Sequence, residues 1–202
     1  MDPFDLVIRR GLILDGSGNP WYRSDIGVRG GRIATIGPLG EQQGAFVLDA
    51  DGLVVAPGFI DVHTHAESGL SHAPTADNYV QQGVTTVIGG NCGDAPLFVS
   101  DTFENLAGDG ISCNLGVLMG HNAVRKAVMG LANRAPTDRE LRRMRAMVAK
   151  GMLEGALGLS TGLKYVPGAY AEAPELVALA RIAARAGGIY CSHLRDEGLG
   201  LI

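Results

Sequence analysis

The chain has 202 residues, 46% of them hydrophobic, which is enough for one domain of good size with a buried core. Its formal charge of −4 comes from acidic and basic residues mixed along the sequence, without the basic stripe of a nucleic-acid binder or the polybasic or amphipathic segment of a membrane-surface protein. No signal-peptide pattern opens the chain, no apolar run approaches the ~18 residues of a membrane span, and three widely spaced cysteines make no disulfide framework, so the expectation is a cytoplasmic globular protein whose cysteines are core residues or ligands.

Residues 4–56 read as strands and tight turns. Leu6, Val7 and Ile8 precede Gly11, and Leu12, Ile13 and Leu14 run into Asp15-Gly16-Ser17-Gly18, a pattern that predicts two short strands. Ile26 and Val28 then alternate with polar or small residues, Gly30-Gly31 admits positive φ, and Ile33 and Ile36 follow, which predicts a hairpin. Residues 1–56 are therefore expected to form a small N-terminal β-domain.

From Leu53 onward the pattern changes to buried apolar strands with helical or loop sequence behind each one, predicted at 53–65, 84–92, 114–121, 156–160 and 188–193. Thr137 with Glu140 makes a capping box for a helix that places Leu141, Met144, Val148 and Met152 on one face. Pro174 opens a second helix through Leu176, Leu179 and Ala183. The polar residues at the strand ends, His63, Cys92, His121, Ser160 and His193, are separated by 29, 29, 39 and 33 positions. That is close to the ~31 per unit of a fold that makes eight βα units from ~250 residues. The expected fold class is α/β, a partial TIM-like (β/α)8 barrel of about five units over residues 57–202. By this count the sequence stops about three units short of closure at Ile202, and the unpaired edges of strands one and five predict self-association.

Candidate chemistry sits at the strand ends. In Pro57-Gly58-Phe59-Ile60-Asp61-Val62-His63-Thr64-His65, a strand period of two sends Asp61, His63 and His65 to one face and Ile60, Val62 and Thr64 to the other. The two histidine Cα atoms are then roughly 6.6 Å apart, near enough for both rings to reach one ion. Asp61 has two readings: it orients a ligand from one step deeper, or it is a buried carboxylate satisfied for structural reasons. Cys92 ends the second strand among glycines, in Gly89-Gly90-Asn91-Cys92-Gly93, where a thiol is open to close approach and becomes a thiolate next to a cation. Cys113 and Cys191 read as small core residues. His193 ends the fifth strand and is a third imidazole for the same barrel end. His121 ends the third predicted strand and either lines the pocket as a hydrogen-bond donor or is structural.

With these residues assembled, the chain resembles the N-acyl-D-amino-acid deacylases, or D-aminoacylases, of the amidohydrolase superfamily. The resemblance runs over essentially the whole chain, through Asp5-Leu6-Val7-Ile8-Arg9-Arg10-Gly11 with Leu14-Asp15-Gly16-Ser17-Gly18, the strand from Pro57 to His65, Asn91-Cys92-Gly93, Gly120-His121 with Arg125, Ser160-Thr161-Gly162-Leu163-Lys164-Tyr165-Val166-Pro167-Gly168, and Ser192-His193 with Arg195 and Glu197. It implies that the early strands belong to a small sandwich-like domain completed by a late C-terminal segment, and that the barrel binds one or two zinc ions. His63 and His65 would form the weaker site, Cys92 would bridge, His193 would belong to the tighter site, and Tyr165 would lie near the substrate carboxylate. The family's sixth-strand histidine and eighth-strand aspartate have no counterpart before Ile202, so the general base is expected beyond it and no catalytic base within it.

The resemblance implies zinc-dependent hydrolysis of N-acyl-D-amino acids, small-molecule substrates, to a carboxylate and a D-amino acid. The alternatives are a cyclic-amide hydrolase like the hydantoinases and dihydroorotases, and a non-catalytic metal-binding fragment. The first alternative requires a carboxylated lysine on the fourth strand, where this chain has Ser160 and Thr161, with Lys164 in the loop beyond.

Overall fold

Where the sequence predicts two short strands before Asp15, the chain makes one, β1 (Phe4–Ile13). Arg10 takes a positive φ of 60°, and the pairing of β1 with antiparallel β2 (Tyr22–Arg29) slips between Ile8 and Gly11. The irregularity is a bulge inside a continuous strand rather than a turn between two. A computed structural model describes residues 3–41 and 44–201, and the contacts divide the chain into two units, Met1–Gly58 and Phe59–Ile202. In the first unit, β2 and β3 (Arg32–Ile36) form the predicted hairpin, with Gly30 and Gly31 at φ of 59° and 70°. Strands β4 (Gly44–Asp49) and β5 (Val54–Val55) run parallel to the first and second halves of β1, which completes a mixed five-stranded sheet.

The second unit contains β6 (Phe59–Asp61), β7 (Val84–Gly89), β8 (Asn114–Val117), β9 (Met119–Gly120), β10 (Gly158–Gly162) and β11 (Ile189–His193). All pairings are parallel, in the orders β6-β7-β8 and β9-β10-β11. The five predicted strands therefore follow one another in sequence order, as consecutive βα units require. The stretch 114–121 is interrupted at Leu118, whose N–H turns to the Gly89 carbonyl at 3.0 Å. His121 does not end that strand; it starts α3 (His121–Met129). The predicted strand 53–65 is also divided: Val54 and Val55 pair in the first unit, and only Phe59–Asp61 pairs with β7, because Pro57 lacks an N–H and the Pro57-Gly58 step leaves the ladder. The fourth strand lies two residues later than predicted, which puts Ser160 in mid-strand.

Among the described residues, five α-helices accompany these strands: α1 (Asp77–Val80), α2 (Val99–Asp109), α3, α4 (Asp138–Leu153) and α5 (Ala173–Arg185). Helix α4 begins with the predicted reciprocal capping box between Thr137 and Glu140, and α5 carries Pro174 in its first turn. Met144 and Val148 of α4, Leu179 and Ala183 of α5, Val124 of α3, and Met119 and Leu159 of the strands form one buried cluster. Each large apolar side chain removed from water there contributes about 1.5–3 kcal/mol. Sequence periodicity does not single out α3, because at i and i+4 its buried face carries His121 and Arg125 rather than apolar residues. Among the described residues, no helix is long and apolar enough to cross a membrane.

Candidate metal centre

Strand β6 ends at Asp61, and the candidate ligands follow it. Thr64 turns inward, where its N–H and hydroxyl both donate to the Ile88 carbonyl at 3.0 and 2.9 Å, so its neighbours His63 and His65 are presented away from that contact. Their rings meet edge to face with centroids 6.1 Å apart. His63 Nε2 lies 3.4 Å from Cys92 Sγ, and the donor atoms of His63, His65 and Cys92 all fall within 4.8 Å of one another. His193, at the end of β11, places Nδ1 3.4 Å from the same sulfur. The four residues predicted as ligands are thus brought to one place. Asp61 accepts a hydrogen bond from the His63 backbone N–H at 3.2 Å, and so restrains the peptide rather than the ring.

Cys92 is held by its neighbours in a turn that few residues adopt. Its φ of 55° lies in the left-handed region, a conformation that costs a non-glycine residue roughly 1–2 kcal/mol and is retained where the surroundings impose it. Ser160 imposes part of it, accepting from the Gly93 N–H at 3.0 Å and donating to the Gly90 carbonyl. Gly93, with a φ of 76°, packs so closely on Asn122 and Gly162 that a Cβ would collide with both. Asn91, fully buried, donates to the carbonyls of Ile88 and Thr64 at 2.9 and 3.2 Å, and its Oδ1 accepts from Cys191 Sγ at 3.2 Å. Cys191 is therefore more than a small core residue. Neither Asn91 nor Ser160 carries a sequence signal for these roles, beyond their position beside the glycine turn and on the adjoining strand.

A cleft of about 420 Å³ opens beside the cysteine, lined by His65, Cys92, Asp94, Asn122, Lys126 and Tyr165, with Ala123, Val166 and Pro167. Tyr165 packs its ring edge-on against His193, centroids 4.9 Å apart. His121 does not line the cleft. Its side chain is wholly buried, with Nε2 2.7 Å from Glu175 Oε1 and Nδ1 3.3 Å from Asn122 Oδ1, so of its two readings the geometry matches the structural one. The next residue, Asn122, takes the place in the cleft expected of His121.

The amidohydrolase family model matches residues 47–193. The chain belongs to the amidohydrolase family. This amidohydrolase is 40% identical over 219 residues to the D-aminoacylase of Alcaligenes xylosoxydans xylosoxydans, covering 97% of the chain and 45% of the relative. It superposes with a TM-score of 0.94, at 40% identity, on N-acyl-D-glutamate deacylase from Bordetella bronchiseptica, a structure complexed with zinc and a phosphonate that mimics the tetrahedral intermediate; 99% of this chain and 47% of that one are covered. A D-aminoacylase structure with a binuclear metal centre matches at a TM-score of 0.92 and 35% identity, covering 98% and 46%. The chain spans somewhat under half the length of these relatives.

In this amidohydrolase the donor set fits a zinc ion. Bond lengths of ~2.3 Å to sulfur and ~2.0–2.1 Å to nitrogen at a tetrahedral angle put the two donors about 3.5 Å apart. The sulfur lies at 3.4 Å from both His63 and His193. Burial pushes the Cys92 thiol up, and the Glu197 carboxylate adds to the shift, so without a cation the thiol keeps its proton. His193 Nε2 is buried without a hydrogen bond, although Glu197 Oε1 is only 3.2 Å away; the distance is short but the alignment is poor. Glu197 is itself held ionised by Lys164, at 2.7 Å, which lowers its pKa from the ordinary value.

Proposed function

We propose that the protein hydrolyses the amide bond of N-acyl-D-amino acids, giving a carboxylate and a D-amino acid, with zinc held by His63, His65, Cys92 and His193. The observation that carries this reading is the Cys92 sulfur standing at equal distance from two imidazoles. A thiolate there can serve two positions, one with His63 and His65 and one with His193, so the site suits one ion or two. Bound zinc supplies Lewis-acid polarisation of the amide carbonyl and lowers the pKa of water to about 7. The chain's own residues do the rest of the work within reach: the Cys92 thiol gives up its proton and the three imidazoles present ring-nitrogen lone pairs to hold the metal, Asp61 and Asn91 fix peptides of the segments that carry them, and Tyr165 offers a hydroxyl to the substrate carboxylate at the cleft. The general base belongs to none of these residues and is proposed to come from sequence beyond Ile202.

The cyclic-amide alternative is disfavoured by the fourth strand. Ser160 and Thr161 are buried and hydrogen-bonded to the protein, and Lys164 is paired with Glu197 rather than pointing among the donors. The test is to load the 202-residue chain, and a version continued through further βα units, with zinc and to follow product formation from N-acetyl-D-glutamate, N-acetyl-D-methionine, their L-enantiomers and a 5-substituted hydantoin. Release of free D-amino acid by the longer protein alone is expected. Ring opening of the hydantoin in preference to deacylation would overturn the reading.

A further inference from the structure

Three ionisable side chains behind the cleft have no part in the chemistry above. His121 and Arg125 are 0% exposed and Glu175 is 2% exposed. Removing such groups from water costs several kcal/mol per ion, and well-packed apolar residues in their place are often no less stable, so stability alone does not account for them. Their connections lead to the cleft. Glu175, on α5, gives Oε1 to His121 Nε2 and Oε2 to Arg125 Nη1, both on α3. Arg125 Nη2 in turn donates to the carbonyls of Ala132 and Arg134 at 3.3 and 2.7 Å, which pins the segment after α3. The second nitrogen of His121 faces Asn122 Oδ1. Asn122 Nδ2 donates to the carbonyls of Gly162 and Tyr165 at 3.1 and 3.3 Å, and the Gly162 N–H approaches Asn122 Oδ1 at 3.4 Å. The Asn122 amide is confined as well as bonded, because Gly93 and Gly168 approach it so closely that a Cβ on either would collide with it.

We infer that His121, Arg125 and Glu175 are positioning residues: through Asn122 they set the 162–165 loop, and with it Tyr165, against the metal-binding histidine His193. This rests on the reading of the cleft as the substrate site. The experiment measures the coupling directly. In the zinc-loaded protein, amide hydrogen exchange is followed at residues 162–165 together with zinc stoichiometry and the dissociation constant for N-acetyl-D-glutamate, for Asn122→Ala, Glu175→Gln and the double variant, with Val124→Ala as a core control. Each single variant is expected to speed exchange in the 162–165 loop by about tenfold, a local opening, while zinc stoichiometry stays unchanged and N-acetyl-D-glutamate binds more weakly. The double variant should exceed the larger single effect by little, as members of one network do. Val124→Ala should lower the thermal midpoint without selecting that loop. Unchanged exchange at 162–165, additive effects in the double variant, or an equal loop response in the control would overturn the inference. If Glu175→Gln fails to fold, Asn122→Ala carries the exchange measurement. If the wild-type protein binds no N-acetyl-D-glutamate, the proposed substrate class fails while the exchange result still decides the positioning role.

Discussion

The Asn91 side-chain amide donates to the Thr64 carbonyl at 3.2 Å, tying the residue before Cys92 to the residue between His63 and His65. The same amide reaches the Ile88 carbonyl, and its oxygen takes the Cys191 thiol, so one buried side chain binds the segment after β6, the end of β7 and the middle of β11. Asn91→Ala removes all of these bonds and leaves buried groups unpaired, at a cost of about 1–3 kcal/mol. The expected outcome is a lower denaturation midpoint and weaker zinc binding together. Full zinc affinity in a destabilised variant would show that Asn91 supports the fold alone.

Cys92→Ala is expected to lower zinc content and any activity in parallel, whereas Cys113→Ala should leave metal content near the wild-type value. Cys113 is buried with Leu106 and Val87 in an apolar cluster and, among the described residues, belongs to no cluster of three candidate metal donors, so its loss costs packing rather than a ligand. Elemental analysis of the two purified variants separates the cases. Equal zinc in wild type and Cys92→Ala would remove the thiolate from the site.

Acid stability should depend on Glu175. Burial on its own raises its pKa, but the hydrogen bonds from His121 and Arg125 outweigh that and hold it below the ordinary carboxylate value. A carboxyl whose pKa is lower in the folded protein favours folding above its unfolded value of about 4.3, and this contribution is lost as pH falls through the lowered folded value. Glu175→Gln should therefore lower the stability plateau at neutral pH, because Arg125 stays buried without its counter-charge, and flatten the decline below pH ~4. Chemical denaturation as a function of pH provides the check, and parallel acid limbs in wild type and variant would contradict it.

Lys126 is the basic side chain of the cleft, and among the described residues neither it nor Asp94 in the same lining is part of an ion pair. Lys126→Met is expected to reduce binding of N-acetyl-D-glutamate relative to N-acetyl-D-methionine by up to about fivefold, the range of an exposed charge pair. Competition binding with the two ligands measures the ratio. A ratio untouched by the substitution would show that Lys126 does not read the substrate's charge.

What the residues announce on their own is local in origin. The hairpin at Gly30-Gly31, the capping box of Thr137 and Glu140, and the apolar faces of α4 and α5 follow from turn chemistry and periodicity over a few positions, and all are found where expected. The repeat of apolar strands followed by His63, Cys92 and His193 likewise points to a parallel βα series and a candidate metal-donor set. Folding alone settles what depends on distant partners. It brings Cys92 and His193, 101 positions apart, to within 3.4 Å; it breaks the third strand at Leu118; and it turns His121 away from the cleft to Glu175, leaving Asn122 in its place. Asn91, Ser160 and Asn122 are short polar residues that look alike in any loop, and only burial against fixed carbonyls gives each its task. A polar pair such as His121 and Arg125 occupies core positions without leaving an apolar period to read, because the carboxylate that both residues meet lies on another helix, 50 or more positions away.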